Sequence, residues 1–186
     1  MCVLAQVSDG ILKREIMSSR IAIFIDGPNF FYMQKDGLKW FVDPKKIIAW
    51  AGRKFDGEVV DARYYQSIDP EHMNKDAAFL KALPYMGYSV HKKPVKSVQD
   101  GTDSWNEADI TIGMMLDVWD AKEHFDTLIL VSGCGDFEEI VERLKQRGKQ
   151  VAILATNRYI SGDLRAKVGQ KFIDFQTIQA DVKKDN

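Results

Sequence analysis

Three stretches of this chain, residues 21–25, 127–131 and 150–154, run apolar almost without a break. A strand with no polar alternation has both faces buried, which is the pattern of a parallel sheet covered by helices on either side. The intervening segments fit that reading. "RIAIFID" (Arg20–Asp26) is a strand ending in an acid, and Gly27-Pro28-Asn29 turns it into a helix with Pro28 in the first turn. "DPKKIIAWAGRKF" repeats the device, with Asp43 as cap and Ile47, Ile48 and Ala51 on one face. "GEVVDARYYQ" is a strand, "DPEHMNKDAAFLKALPYMG" a helix, "YSVHKKP" a strand, "QDGTDSW" a loop, and "NEADITIGMMLDVWDAKEHF" a mostly buried helix. "DTLILVSG" precedes a helix with Phe137, Ile140, Val141 and Leu144 on one face. "KQVAILAT", "SGDLRAKVG" and "KFIDF" then supply strand, helix and strand.

A length of 186 residues suits one domain with a proper core. Residues 20–178 are expected to form it, with an appendage at 1–19 and a polar tail at 179–186. No apolar run approaches the roughly 18–20 residues of a membrane span. The first twenty residues carry charges in their middle and make a poor signal peptide. Cys2 and Cys134 are the only cysteines, so a disulfide framework is not implied and the cytoplasm is the expected location. A homo-oligomer is compatible with all of this. The net charge is −1, yet its distribution is uneven. Residues 98–126 hold eight acids against one base, and residues 141–172 hold eight bases against two acids. An acidic centre beside a basic flank could hold cations near a polyanion, or could be two solvated helix faces.

In a parallel sheet the functional crevice lies beyond the carboxyl ends of the strands. Asp26 ends the first strand, Asp136 follows the strand ending at Val131, and Asp109 opens the helix before it. Asn29 stands one helical turn beyond Asp26. Carboxylates converging on one rim repel unless a cation lies among them, and hard oxygen donors select Mg²⁺ or Mn²⁺. Such an ion can polarise a phosphoryl oxygen and generate hydroxide. The plainer role for Asp26 and Asp136 is to cap the helices they precede.

"IFIDGPNF", "EADITIGMMLDVW", "DTLILVSGCGDFEEIVERLKQRGKQVAIL" and "SGDLRAKVGQKFIDF" together resemble the NYN domain in its LabA-like (DUF88) branch, within the PIN-like nuclease superfamily. The resemblance spans about residues 20–175. It implies a three-layer Rossmann-like (PIN-like) α/β fold, with a mainly parallel central sheet flanked by helices. It further implies an acidic pocket for Mg²⁺ or Mn²⁺ and activity on RNA. By that resemblance Asp26, Asp109 and Asp136 are the catalytic and metal-binding acids. Asn29, Ser132 and Gly133 match neighbouring motif positions that would meet substrate. The chain also departs from the family pattern. Cys134 stands where an Asp is usual, and Met115 where another acid is common; Asp117 lies about 200° further around the helix. Asn106-Glu107 replaces a Lys-Gly pair, and Gln170 a late Asp. A thiol is a poor ligand for Mg²⁺.

Lys93, in "HKKPVK", leaves a strand toward the same rim and could touch phosphate, as could Arg158 and Arg165, or these bases could equally form a solvated edge. "RYYQ", Tyr159 and Trp105 offer aromatic faces for an unpaired base or, more plainly, lids on the core. His72, His91 and His124 have no ligand spacing, and Cys134 no resolving partner. No Gly-x-Gly-x-x-Gly or Walker sequence follows a strand, so a nucleotide cofactor is not expected. Two readings therefore stand: a metal-dependent ribonuclease, and an RNA-binding or regulatory module on the same frame.

Overall fold

In the computed structural model, residues 18–68, 77–94, 96–100, 103–107 and 110–185 are described, with backbone alone for 68, 94, 96–100 and 103–107. The unbroken apolar stretches are the middle of a six-stranded sheet of order β3-β2-β1-β6-β7-β8, parallel throughout. Its strands are β1 (Ser19–Asp26), β2 (Gly57–Ile68), β3 (Ser89–Pro94), β6 (Thr127–Val131), β7 (Gln150–Ala155) and β8 (Phe172–Asp174). Every side chain from Ile21 to Ile25 and from Leu128 to Val131 is fully buried, as their lack of alternation requires. The three-layer α/β fold expected from the sequence is the one found.

Helices α1 (Gly27–Tyr32), α2 (Pro44–Phe55) and α3 (Ala77–Ala82) carry the chain outward from β1 to β2 and β3. Helices α4 (Ile110–Ala121), α5 (Glu138–Gln146) and α6 (Gly162–Val168) carry it the other way, to β6, β7 and β8. Right-handed crossovers in opposite directions put these two sets on opposite faces. Strand order therefore reverses between β1 and β6, and their exits, Asp26 and Ser132, stand side by side at the switch point.

One sequence expectation needs correction. "QDGTDSW" is not loop throughout: β4 (Lys96–Asp100) pairs antiparallel with β5 (Asp103–Glu107), closing at Asp100 and Asp103. Asn106 and Glu107 thus belong to a strand, and α4 starts at Ile110. The hairpin was hard to see because its strands are mostly polar and its hydrophobic alternation is weak. The polar tail from residue 179 carries a short helix. Helix α7 (Gln179–Val182) buries Val182 completely, and backbone bonds tie its end to residues 41–43 beside α2. One apolar side chain in a polar run is enough when a helix face is there to receive it.

Candidate functional site

Asp26 does two jobs at the end of β1. Its Oδ1 accepts the backbone N–H of Asn29 at 3.2 Å, the cap that starts α1, while its Oδ2 accepts the Ser132 hydroxyl at 2.9 Å. The cap and the site are therefore the same residue. Ser132 Oγ in turn accepts the N–H of Cys134 at 3.1 Å, and the side-chain oxygen of Asn29 accepts the N–H of Gly133 at 3.0 Å. These bonds stitch the β1 exit to the β6 exit across more than a hundred residues of sequence.

Two glycines let the exits approach. A Cβ on Gly27 would lie 2.4 Å from the carbonyl oxygen of Tyr65, and one on Gly133 would lie 1.9 Å from that of Tyr159. Both separations are impossible for any larger residue, so the Asp26-Gly27 and Ser132-Gly133 pairs are dictated by backbone contact as much as by chemistry. The carbonyl of Gly133 is also spent, accepting the N–H of Ser161 at 2.9 Å.

Asp26 is 7% exposed, and all its hydrogen-bond donors are neutral. Burial raises its pKa, against the lowering effect of the Asn29 and Ser132 bonds. Asp136 follows, itself exposed, in the middle of the single turn Gly135–Phe137, whose Phe137 is buried. Between the two acids sits the half-buried Cys134. Burial raises its thiol pKa first, and the charges of Asp136 and Asp26 add to that, so it is a neutral thiol at ordinary pH. No group of three or more His, Cys, Asp or Glu close enough to share a metal occurs among the described residues. Asp109 lies outside them, so its place relative to Asp26 is not described. What the described residues do provide is a buried carboxylate without a cationic partner. That suits a hard divalent ion, since Mg²⁺ commonly takes only one or two carboxylates and keeps waters.

The remaining expected contacts are more dispersed. Arg158 is exposed in the turn after β7, on the switch-point rim. Lys93 is exposed near the end of edge strand β3, opposite Ser67 and two strands from Asp26. Tyr64 and Tyr65 are buried lids on the core. Met115 is half-buried against the core, and Gln170 is exposed. His72 and the side chain of Trp105 lie outside the described residues.

A polar cluster that no motif announced occupies the same face of the sheet. Register places Asp26, Tyr65 and His91 in one row across β1, β2 and β3. The Tyr65 ring stacks on His91 at 4.7 Å, and its hydroxyl donates to Oδ2 of Asp117 on α4 at 2.7 Å. His91 Nδ1 lies 3.4 Å from that oxygen and Arg63 3.8 Å from it, while Arg63 also clasps Asp61 at 2.7 Å. Burial, then Asp117, pushes the Tyr65 phenol well above its usual range, so it remains a hydrogen-bond donor. The sequence named several of its members, in "RYYQ", His91 and Asp117, but nothing in it joined them.

A family model described as the NYN domain matches residues 20–178. The "Low amplitude and bright protein LabA" of Synechococcus elongatus is 33% identical over 171 residues, 89% of each chain. The crystal structure of VPA0982, a protein of unknown function from Vibrio parahaemolyticus, superposes with a TM-score of 0.73 at 28% identity, covering 92% of this chain and 99% of that one. A match that begins with β1 and runs past β8 takes in every strand of the central sheet, and the chain belongs to the NYN domain family.

Proposed function

We propose that this protein is a divalent-metal-dependent ribonuclease that hydrolyses RNA phosphodiester bonds at the β1–β6 switch point, working in the cytoplasm. The observation that carries this reading is Asp26: a buried carboxylate at the crevice of a doubly wound sheet, bonded only by neutral donors. Keeping an uncompensated charge out of water is costly, and function is the usual reason it persists. Asp26, Asp136 and, by family resemblance, Asp109 would hold Mg²⁺ or Mn²⁺. When bound, such an ion polarises a phosphoryl oxygen and lowers the pKa of a water.

The chain's own groups divide the remaining work. Ser132 donates its hydroxyl proton to Asp26 and accepts from Cys134, so it orients the carboxylate rather than attacking substrate. Asn29 spends its side-chain oxygen on Gly133, which leaves its amide N–H groups as what it can offer a phosphate. Arg158 and Lys93, on the rim and at the edge strand, would meet backbone phosphates further along the strand. No nucleotide cofactor is invoked. No described helix is long and apolar enough to cross a membrane.

One observation favours a second reading, an RNA-binding or regulatory module with little cleavage. The neutral thiol of Cys134 occupies the place of a family acid between Asp26 and Asp136, and thins the charge available to a cation. Cleavage of labelled single-stranded RNA with Mg²⁺ or Mn²⁺, by this chain, Cys134→Asp and Asp26→Asn, separates the two. Cleavage by the unmodified chain that Asp26→Asn abolishes supports the nuclease. Cleavage by Cys134→Asp alone supports the binding module. Cleavage retained in Asp26→Asn removes Asp26 from the mechanism.

A further inference from the structure

Helix α1 has a second outward face. Asn29 looks toward Gly133 and the acids, and Phe30 and Met33 are buried. Phe31 and Tyr32 are 44% and 52% exposed. They line one side of a groove of about 560 Å³, whose other walls are Phe41, Tyr64, Gln66 and Phe79. Phe41 and Phe79 are also well exposed, at 57% and 37%. Exposed aromatic rings gathered around one concavity are unusual on a soluble domain and mark a binding surface.

We infer that this groove is a base-binding site for unpaired RNA adjoining the acidic rim, an inference that rests on RNA being what the rim acts upon. Three observations select this occupant. The groove begins next to the rim, on the other side of α1: Pro28, two residues after Asp26, lines it, and Gln66 closes against Gly27, the residue next to Asp26. One short helix about 10 Å across separates the two surfaces. Cations suited to phosphate stand beside the rings. Lys35 lies 5.9 Å from the centre of the Phe31 ring, and Lys184 lines the groove on the side of the C-terminal segment. The lining also holds one carboxylate, Asp43, the cap of α2, which accepts the N–H of Lys45 at 2.9 Å. Aromatic faces serve any base, and Gln66 and Ser67 add amide and hydroxyl groups that can meet base edges. Rings set in a groove reach a base only when it is unpaired, so the site takes single strands and refuses duplex.

The test uses the full chain carrying Asp26→Asn, which keeps the RNA intact, and a fluorescein-labelled single-stranded RNA of mixed sequence read by anisotropy. Phe31→Ala and Tyr32→Ala should each weaken binding about fivefold or more, the loss expected for one stacked base. Phe31→Trp should restore it, and binding of the same sequence as duplex should not change. Both alanine variants are at exposed positions, and unchanged circular dichroism and melting would confirm that they fold. Single-strand affinity unmoved by either variant overturns the inference, as does an absence of single-strand binding in the parent. Light scattering is run in parallel. A dimer that Phe31→Ala dissolves, with RNA binding unaffected, would assign the groove to a second copy instead and also overturn it. Binding that depends on Phe31 and Tyr32 without cleavage by the unmodified chain would sink the nuclease reading and leave the groove standing.

Discussion

Asp26 and Asp117 face the same side of the sheet, and each accepts a hydroxyl proton, at 2.9 Å from Ser132 and at 2.7 Å from Tyr65. There the likeness ends. Asp117 is flanked by Arg63 and His91, and a third of its side chain is in solvent. Asp26 has one backbone N–H and one hydroxyl, and almost no solvent. One carboxylate has its charge met by the protein; the other does not. The first pins α4 to the edge of the sheet and the second is left to bind something. Counting acids near a rim would rank the two alike, and it is compensation that separates them.

The largest effect should come from chemistry. Asp26→Asn is expected to lower RNA cleavage about 100-fold or more, while Asp117→Asn leaves the rate within a few-fold. Equal losses in the two variants would erase the distinction. Next is ion binding read without activity. With free Mn²⁺ at about 100 times its Kd, the unmodified chain should gain about 2.7 kcal/mol of stability. Asp117→Asn should gain as much and Asp26→Asn nothing, in a thermal melt. A gain that survives Asp26→Asn would place the ion elsewhere.

Stability should show the reverse ranking. Tyr65→Phe strips Asp117 of its shortest bond and should cost roughly 1–3 kcal/mol, a fall in Tm of about 2–4 °C per kcal/mol. Cleavage should persist. Loss of cleavage with an unchanged Tm would move Tyr65 into the site.

The smallest effect concerns pH. Burial raises the pKa of Asp26, so the fold favours its protonated form. That contribution is complete below the unfolded carboxylate pKa and is lost as pH rises through the folded value. At neutral pH without metal, Asp26 is therefore a liability, and Asp26→Asn should melt slightly higher. The advantage should vanish on acidification. An Asn variant less stable at neutral pH would show the charge to be compensated after all.

Much of the frame was legible in the chain. The uninterrupted runs in β1, β6 and β7 announced strands buried on both faces, because alternation is the signature of a half-exposed strand and they have none. Asp26, Asn29 and Ser132 could be picked out because strand exits are where a parallel sheet opens its crevice. The groove beside α1 was not legible. Phe31, Tyr32, Phe41 and Phe79 come from three different segments, and each read alone looks like an ordinary core residue.

The sequence by itself determined which residues reach the rim, since hydrophobic period and turn residues act over a few positions and are written locally. Only the tertiary structure decided what each of them meets there. Asp26 and Ser132 are 106 residues apart, and Tyr65 and Asp117 are 52. Whether a carboxylate ends beside a guanidinium or beside a bare hydroxyl depends on strand register and on how α4 is turned against the sheet. Those are settled by side chains packing across the whole core, and no local pattern records them.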